Sequence, residues 1–493
     1  MITKMTSKMY LLFLILSLFS CVNSGENTKT AEEPAISIDS SYLLSSVWYT
    51  HLTDDLLPFW THTNALGPGN VGNFTQNRDS TGAIVSSNTN RRPRMLSRQT
   101  FLYAISYLMT GDEKLLELAH KGSEYIINNA WDSQYGGYHA ELDINGNPIS
   151  TNTKKTAQDI SYGAQGPAAY YFISRNKNAQ DIVLKTRDLI FSTFWDETND
   201  RVIDGFDVTL STEYDAIHPG YDLVSILDQV NAYMTLVQPV LTEEQRKTQF
   251  LNDLGVFSDA MIKHFYKDKI FWGSVGDINR FTRGHNDFGH TLKSYWMILR
   301  TASRAGNETL NNQIKDNVHE IIDLAYIDTQ KRWANTFTSL TQPASQWGNS
   351  WWIWSEEDQI TATLNMADGR YTEILSNTAK HWFNFVDKTN KEVYSDIGTN
   401  GTPSNTSGWK TSEWKNGFHS VEHALIMYIH GCHYEKKTLS LYFAVPQTDV
   451  NTFIAKPYIF EGTEVSRTDL GVITIGGTEL HKVRVDFEGI SIR

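Results

Sequence analysis

The chain has 493 residues and a formal net charge of −13, with 20 % charged and 12 % aromatic residues. That acidity argues against nucleic acid, or any other polyanion, as a partner. Only two cysteines occur, Cys21 and Cys432, so disulfides hold nothing together, and the length alone supplies a core of ample size.

The first twenty residues contain Lys4 and Lys8, no acidic residue, and the apolar run "YLLFLILSLF". This is the layout of a secretory leader over 1–20, and the run is too short to span a bilayer. It closes on "LFSC", which resembles the lipobox of bacterial lipoproteins. The resemblance implies lipidation of Cys21 and a place in the bacterial cell envelope, on its periplasmic face or the cell surface, with the membrane reached through that anchor. A signal anchor without lipidation is the alternative. Cleavage would remove Lys4 and Lys8 and take the net charge from −13 to −15. Residues 21–40 are polar and without helical periodicity, and read as a flexible tether.

From residue 41 the apolar residues recur at three- and four-residue spacing in twelve segments, each closed by Gly, Asn or Asp. The segments are 41–62, 95–110, 112–130, 157–176, 178–195, 222–240, 242–267, 287–305, 307–330, 351–367, 369–387 and 412–433. Short turns such as "TGDEK", "RNKNAQ", "LTEEQ" and "ADGRY" join the second to the third, the fourth to the fifth, and so on. Long loops fill the alternate connections. Short links make antiparallel neighbours, and long ones can gather at one end of the assembly. The expected fold is therefore mainly α, an (α/α)6 barrel over 41–433 with inner helices converging on a funnel. A helical solenoid is the alternative, but no fixed repeat is present. The loop "WDSQYGGYHAELDINGNPIS" at the rim reads as a hairpin around "NGN". Beyond "HGCHYEKK" the pattern turns to "LSLYFAVP", "VITIGG" and "HKVRVDFEGISI", a small C-terminal β-rich appendage over 434–493 that covers a flank or meets a partner.

Chemistry concentrates near the starts of several helices. "KNGFHSVEHAL" carries His419, Glu422 and His423. H-x-x-E-H is a zinc pattern, because His at i and i+4 share a helix face. A catalytic zinc needs a third ligand from another element, and nothing downstream supplies one, so no metal is expected. No Gly-rich phosphate loop occurs either, and no cofactor is expected. The bland alternative has His423 in the core and His419 in solvent. "FGHTLKSYWMILR" places His290 at a helix start, and "WWIWSEEDQITATL" places Trp351, Trp352, Trp354 and Glu356 at another.

Together with "SRQTFLYAISYLMTG", these segments resemble the N-acylglucosamine 2-epimerase superfamily, which includes cellobiose 2-epimerases and aldose isomerases. The likeness runs in order over about 41–433. It implies a funnel that binds an open-chain mono- or oligosaccharide, and two histidines, His290 and His419, that exchange the proton beside the carbonyl. It also implies that Arg98 stabilises the enediolate oxygens, that Glu356 orients a histidine or binds hydroxyls, and that Trp352 stacks on a sugar face. Trp351, Tyr162 and Asp228 complete the expected substrate-binding set.

The chain departs from that pattern where the family carries a glutamate and has Lys293, and where it carries an arginine and has Glu422. The swap suggests that Lys293 and Glu422 pair. The sixth helix offers Asp228 and Asn231 where many members have histidines. A glycan-degrading hydrolase using Asp159, Asp228, Asp287 or Glu356 is a second reading. A non-catalytic glycan-binding lipoprotein that stacks sugars on Trp351, Trp352 and Trp354 is a third.

Overall fold

The computed structural model describes residues 39–149, 154–214, 222–281 and 283–492. The leader, Cys21 and nearly all of the tether lie outside the described residues. Twelve long helices follow: α1 (45–60), α2 (Pro93–Thr110), α3 (Glu113–Tyr125), α4 (Ala157–Ser174), α5 (Lys177–Leu189) and α6 (223–240). After them come α7 (Glu244–Phe265), α8 (Phe288–Arg304), α9 (Glu308–Ala325), α10 (Trp351–Asp368), α11 (Thr372–Trp382) and α12 (Phe418–Tyr434).

Two kinds of helix alternate, and burial tells them apart. In α2 every residue from Pro93 to Met109 is buried. In its partner α3 only a stripe including Leu115, Leu116, Leu118 and Ala119 is covered. Helices buried all round belong inside, and amphipathic ones outside. The inner ring is α2, α4, α6, α8, α10 and α12, each packing on the next, with α12 returning to α2. The outer helices α3, α5, α7, α9 and α11 each follow an inner one through a short turn, and α1 packs on α12 to complete the sixth pair. This is an (α/α)6 barrel.

Local chemistry sets the helix ends. Asp112, Thr156, Asn176 and Asn307 accept amide hydrogens in the first turns of α3, α4, α5 and α9. Helix α12 begins at Phe418 rather than near 412, because the Ser412 hydroxyl accepts the amides of Trp414 and Lys415 and turns the chain. Helix α11 stops at Trp382 rather than near 387, where Asp387 accepts the amides of Thr389 and Asn390 in a turn. The rim loop closes at Asn145 and Gly146, with Leu142 bridging Pro148.

Three antiparallel strands follow α12: β1 (Leu439–Val445), β2 (Glu461–Ile475) and β3 (Thr478–Ser491), in the order β1-β3-β2. They lie across the C-terminal ends of the inner helices, and the β2–β3 turn reaches the outer helix α3, where the Gly476 amide donates to Glu117 at 3.0 Å. The Tyr107 hydroxyl near the end of α2 donates to the Phe443 carbonyl at 3.0 Å. Gly111, which ends α2 at φ +70°, leaves room for Tyr442, whose ring a Cβ would meet at 2.7 Å. Arg300 of α8 is fully buried and donates to the carbonyls of Ile459 and Ile492. The sheet is thus the base of the barrel.

The first and last helices, far apart in sequence, meet through Trp382. Its indole donates to His51 Nε2 at 3.0 Å and lies edge-on to His423, with ring centroids 4.3 Å apart. Trp382→Ala is expected to cost about 3–5 kcal/mol, because it opens a cavity and strands the His51 acceptor. A urea unfolding curve superimposable on that of the unaltered protein would contradict this packing account.

Candidate functional site

A cavity of about 390 Å³ opens where the N-terminal ends of the inner helices converge. Each helix contributes from its first turns, often in pairs at i and i+4 that share a face: Arg94 and Arg98, Gln158 and Tyr162, Val224 and Asp228. His290 and Lys293 come from α8, Trp351 and Trp352 from α10, and His419 from α12. A larger exterior groove of about 840 Å³ runs between α3 and the β2–β3 turn, lined by surface carboxylates and lysines such as Glu113, Glu117 and Lys121 together with Leu66, Leu118 and Ile475.

Seven of the eight residues singled out from sequence line this one cavity: Arg98, Tyr162, Asp228, His290, Trp351, Trp352 and His419. The eighth, Glu356, lies directly beneath, 1 % exposed. Trp354 does not join them. It is fully buried against His381 and Phe385 on the other side of α10, so only Trp351 and Trp352 remain as stacking surfaces from that run.

The two imidazoles are held alike. Asp287 caps α8 by accepting the His290 amide at 2.7 Å, and its second oxygen receives His290 Nδ1 at 2.7 Å. Burial pushes the Asp287 carboxyl up, but the His290 ring and these hydrogen bonds pull it below the usual carboxylate range. An ionised Asp287 fixes the Nδ1–H tautomer and leaves Nε2 as the free nitrogen. Across the cavity, His419 Nδ1 lies 3.2 Å from Glu356 Oε1, with its N–H turned somewhat off the line between them. The Trp352 ring touches both imidazoles, with centroids 4.8 Å from His290 and 6.0 Å from His419. Gly289 makes this close packing feasible, since a Cβ there would stand 2.9 Å from the Trp352 ring.

Charge is layered beneath the imidazoles. Lys293 pairs with Glu356 at 3.4 Å and Asp228 at 3.7 Å. The expected Lys293–Glu422 pair is therefore corrected. Glu422 acts on Lys293 only through the electrostatic field, while its carboxylate accepts a hydrogen bond from Tyr458 in the β1–β2 connection. Burial drives the Lys293 ammonium down, but Glu356, Tyr162 and Asp228 outweigh it and raise it. Burial likewise raises Glu356, and Lys293 and His419 bring it below the usual range. Burial takes His419 down to about 4, against the pull of Glu356, so the ring is neutral near pH 7. Glu422, buried and facing the charge of Glu356, is pushed up to about 8.

Arg98 is 5 % exposed and lies flat over the Tyr162 ring at 3.8 Å. Among the described residues no carboxylate forms an ion pair with it, and it stands at the positive ends of the inner helices, where developing negative charge is favoured. Tyr162 and Asp228 are engaged with each other. The Tyr162 hydroxyl donates to Asp228 at 2.8 Å, and Gln158 fills the second Asp228 oxygen at 2.9 Å.

The zinc pattern on α12 comes apart in three dimensions. His419 turns to Glu356, Glu422 to Tyr458, and His423 Nε2 to Asp358 at 3.1 Å. The acids proposed for hydrolysis are also committed: Asp159 pairs with Arg94 at 3.1 Å, and Asp287 and Glu356 are held ionised. A glycosidase needs a carboxyl kept protonated at the scissile bond, whereas Asp287 and Glu356 are held below the usual carboxylate range. Sequence reasoning missed Arg94, Gln158, His285 and Trp414 in the cavity wall. For Arg94 and Gln158 a signal was present, their i, i+4 spacing to Arg98 and Tyr162. Trp414, 61 % exposed and 4.6 Å from the Arg94 guanidinium, falls in the stretch expected as the first turn of the last helix, which the structure leaves irregular.

Residues 72–391 match the family model for N-acylglucosamine 2-epimerase (GlcNAc 2-epimerase). A cellobiose 2-epimerase of Ruminococcus albus is 24 % identical over 391 residues, spanning 75 % of this chain and 94 % of that protein. Among solved structures, cellobiose 2-epimerase from Spirochaeta thermophila superposes with a TM-score of 0.68 at 16 % identity, covering 79 % of this chain and 97 % of that one. A D-mannose isomerase gives 0.65 at 15 % identity, covering 79 % and 98 %.

The depressed His419 has a measurable consequence. Its ring signals should titrate with a midpoint near 4 rather than near 6.5. Because the unfolded chain takes up this proton first, the stability tied to the group is complete above pH 6.5 and declines as the pH falls toward 4. A His419 midpoint at or above 6 in an NMR titration would contradict the buried neutral ring.

Proposed function

The chain belongs to the N-acylglucosamine 2-epimerase family, and on that premise we propose that it is a sugar epimerase or isomerase in which His290 and His419 move the proton beside the carbonyl. One observation carries the reading: two imidazoles, His290 with Nδ1 hydrogen-bonded to Asp287 and His419 with Nδ1 3.2 Å from the buried Glu356, turn toward a single cavity and both touch Trp352.

An open-chain aldose lies with a face on Trp352 and its C1 and C2 oxygens toward Arg98. One imidazole takes the C2 proton through Nε2, and the C–H electron pair moves to form a C1–C2 double bond as negative charge gathers on the carbonyl oxygen. Arg98, without a carboxylate partner among the described residues, neutralises that charge. Asp287 or Glu356 stabilises the imidazolium that forms. Return of the proton to C2 from the opposite face by the second imidazole gives the epimer, and return to C1, with the O2 proton passing to O1, gives the ketose. The neutral state of His419 suits it to accept a proton.

The leader and Cys21 place this chemistry in the cell envelope in our reading, acting on sugars released during glycan utilisation outside the cytoplasm. Cys21→Ser should abolish radiolabelled palmitate incorporation and release the protein from the membrane fraction; a variant that stays fully membrane-bound would sink the anchor.

The activity is tested by solvent deuterium entering C2 of cellobiose, mannose or glucose. His290→Ala and His419→Ala should each lower the exchange rate by roughly 10²–10⁴-fold. Full exchange in either variant, or none in the unaltered protein across a broad panel of aldoses, would refute the proton-transfer mechanism.

A further inference from the structure

The base of the barrel holds an arrangement that this proton transfer does not by itself require. The chain between β1 and β2 passes under the cavity and inserts Tyr458, 3 % exposed, among the inner helices. Its hydroxyl donates to Glu422 Oε1. The Tyr458 backbone is left-handed, with φ +62°, a conformation that a residue bearing a Cβ seldom adopts. Arg300 and Arg304 of α8 hold it there by donating to the carbonyl of the next residue, Ile459. The aromatic side chain is thus carried to one position by two cations on the helix that bears His290 and Lys293.

Glu422 lies one turn below His419 on α12, and Lys293 one turn below His290 on α8. Both face the barrel axis, and each figures in the other's electrostatics. Lys293 nevertheless pairs with Glu356 and Asp228, and Glu422 turns down to Tyr458. We propose that Tyr458 is a positioning residue: by holding the Glu422 carboxyl at the base it keeps Lys293 on Glu356, and so keeps Glu356 in place beneath His419. Without the hydroxyl, Glu422 is free to turn upward, and in its ionised form, above about pH 8, it competes for the ammonium. Glu356 then loses its nearest cation, and its hold on His419 Nδ1 goes with it. The C-terminal sheet thereby does more than cover the barrel, since it delivers the side chain that settles a three-way competition for one buried charge.

The proposal rests on the epimerase or isomerase reading for its kinetic consequence, and on geometry alone for its structural one. The experiment therefore has two arms. Tyr458→Phe keeps the ring and removes the donor. Measured above about pH 8, where Glu422 ionises, it should lower kcat by about tenfold to hundredfold with KM little changed, as expected when a catalytic group is misplaced while substrate binding is preserved. Adding Glu422→Gln, which cannot compete as an anion, should restore most of that loss. In the absence of sugar, the His419 ring nitrogen signals should move in Tyr458→Phe and return in the double variant, while those of His290 stay. Wild-type kcat and unmoved His419 signals in Tyr458→Phe would overturn the proposal. So would a loss that Glu422→Gln fails to restore, since Tyr458 would then act through packing. If the unaltered protein exchanges no deuterium, the activity reading fails, and the His419 signals still decide the role of Tyr458.

Discussion

One carboxylate organises this molecule's interior chemistry. Glu356 is 1 % exposed, and ionised it can exist there only against opposite charge, because an unpaired buried anion costs several kcal/mol. Lys293 supplies that charge from the neighbouring inner helix, and His419 approaches the same oxygen from the other side. Three inner helices, α8, α10 and α12, are thereby tied at one depth. The two histidines stand one layer above, at the height where the cavity opens.

The inner ring can carry such groups because it is enclosed by six outer helices and a sheet. Each inner helix starts at the cavity and ends at the base. Its free amides therefore point toward substrate, and its last carbonyls toward the strands. Side chains near those ends in turn satisfy carbonyls of the base: Tyr107 donates to Phe443, and Arg300 to Ile459 and Ile492. Polar groups that would destabilise an ordinary helical core become useful here. Arg98 stacks on Tyr162, Asp228 takes donors on both oxygens, and Asp287 serves at once as helix cap and imidazole partner.

Much of the architecture was legible because it rests on short-range periodicity. Alternate short and long links implied hairpins in a ring, and the starts of α8, α10 and α12 drew attention through His290, Trp352 and His419. Where the reading missed, the cause was competition that periodicity does not record. Ser412 and Asp387 bend the chain at helix ends, Trp354 turns away from its two tryptophan neighbours, and the Ser412 turn leaves Trp414 on a loop rather than in the helix expected from residue 412. The opposite charges at Lys293 and Glu422 suggested a pair, and the suggestion failed because each found a nearer partner.

The amino-acid sequence by itself determined which residues could lie on a common helix face and which helices had to be buried, since spacing of 3.6 residues per turn and apolar content act locally. Tertiary structure alone decided who pairs with whom. Lys293 had Glu356, Asp228 and Glu422 within its field and pairs with the first two, while Glu422 accepts from Tyr458 of the β1–β2 connection. Electrostatic partners are chosen by distance and desolvation in three dimensions, and neither quantity is written in the order of the residues.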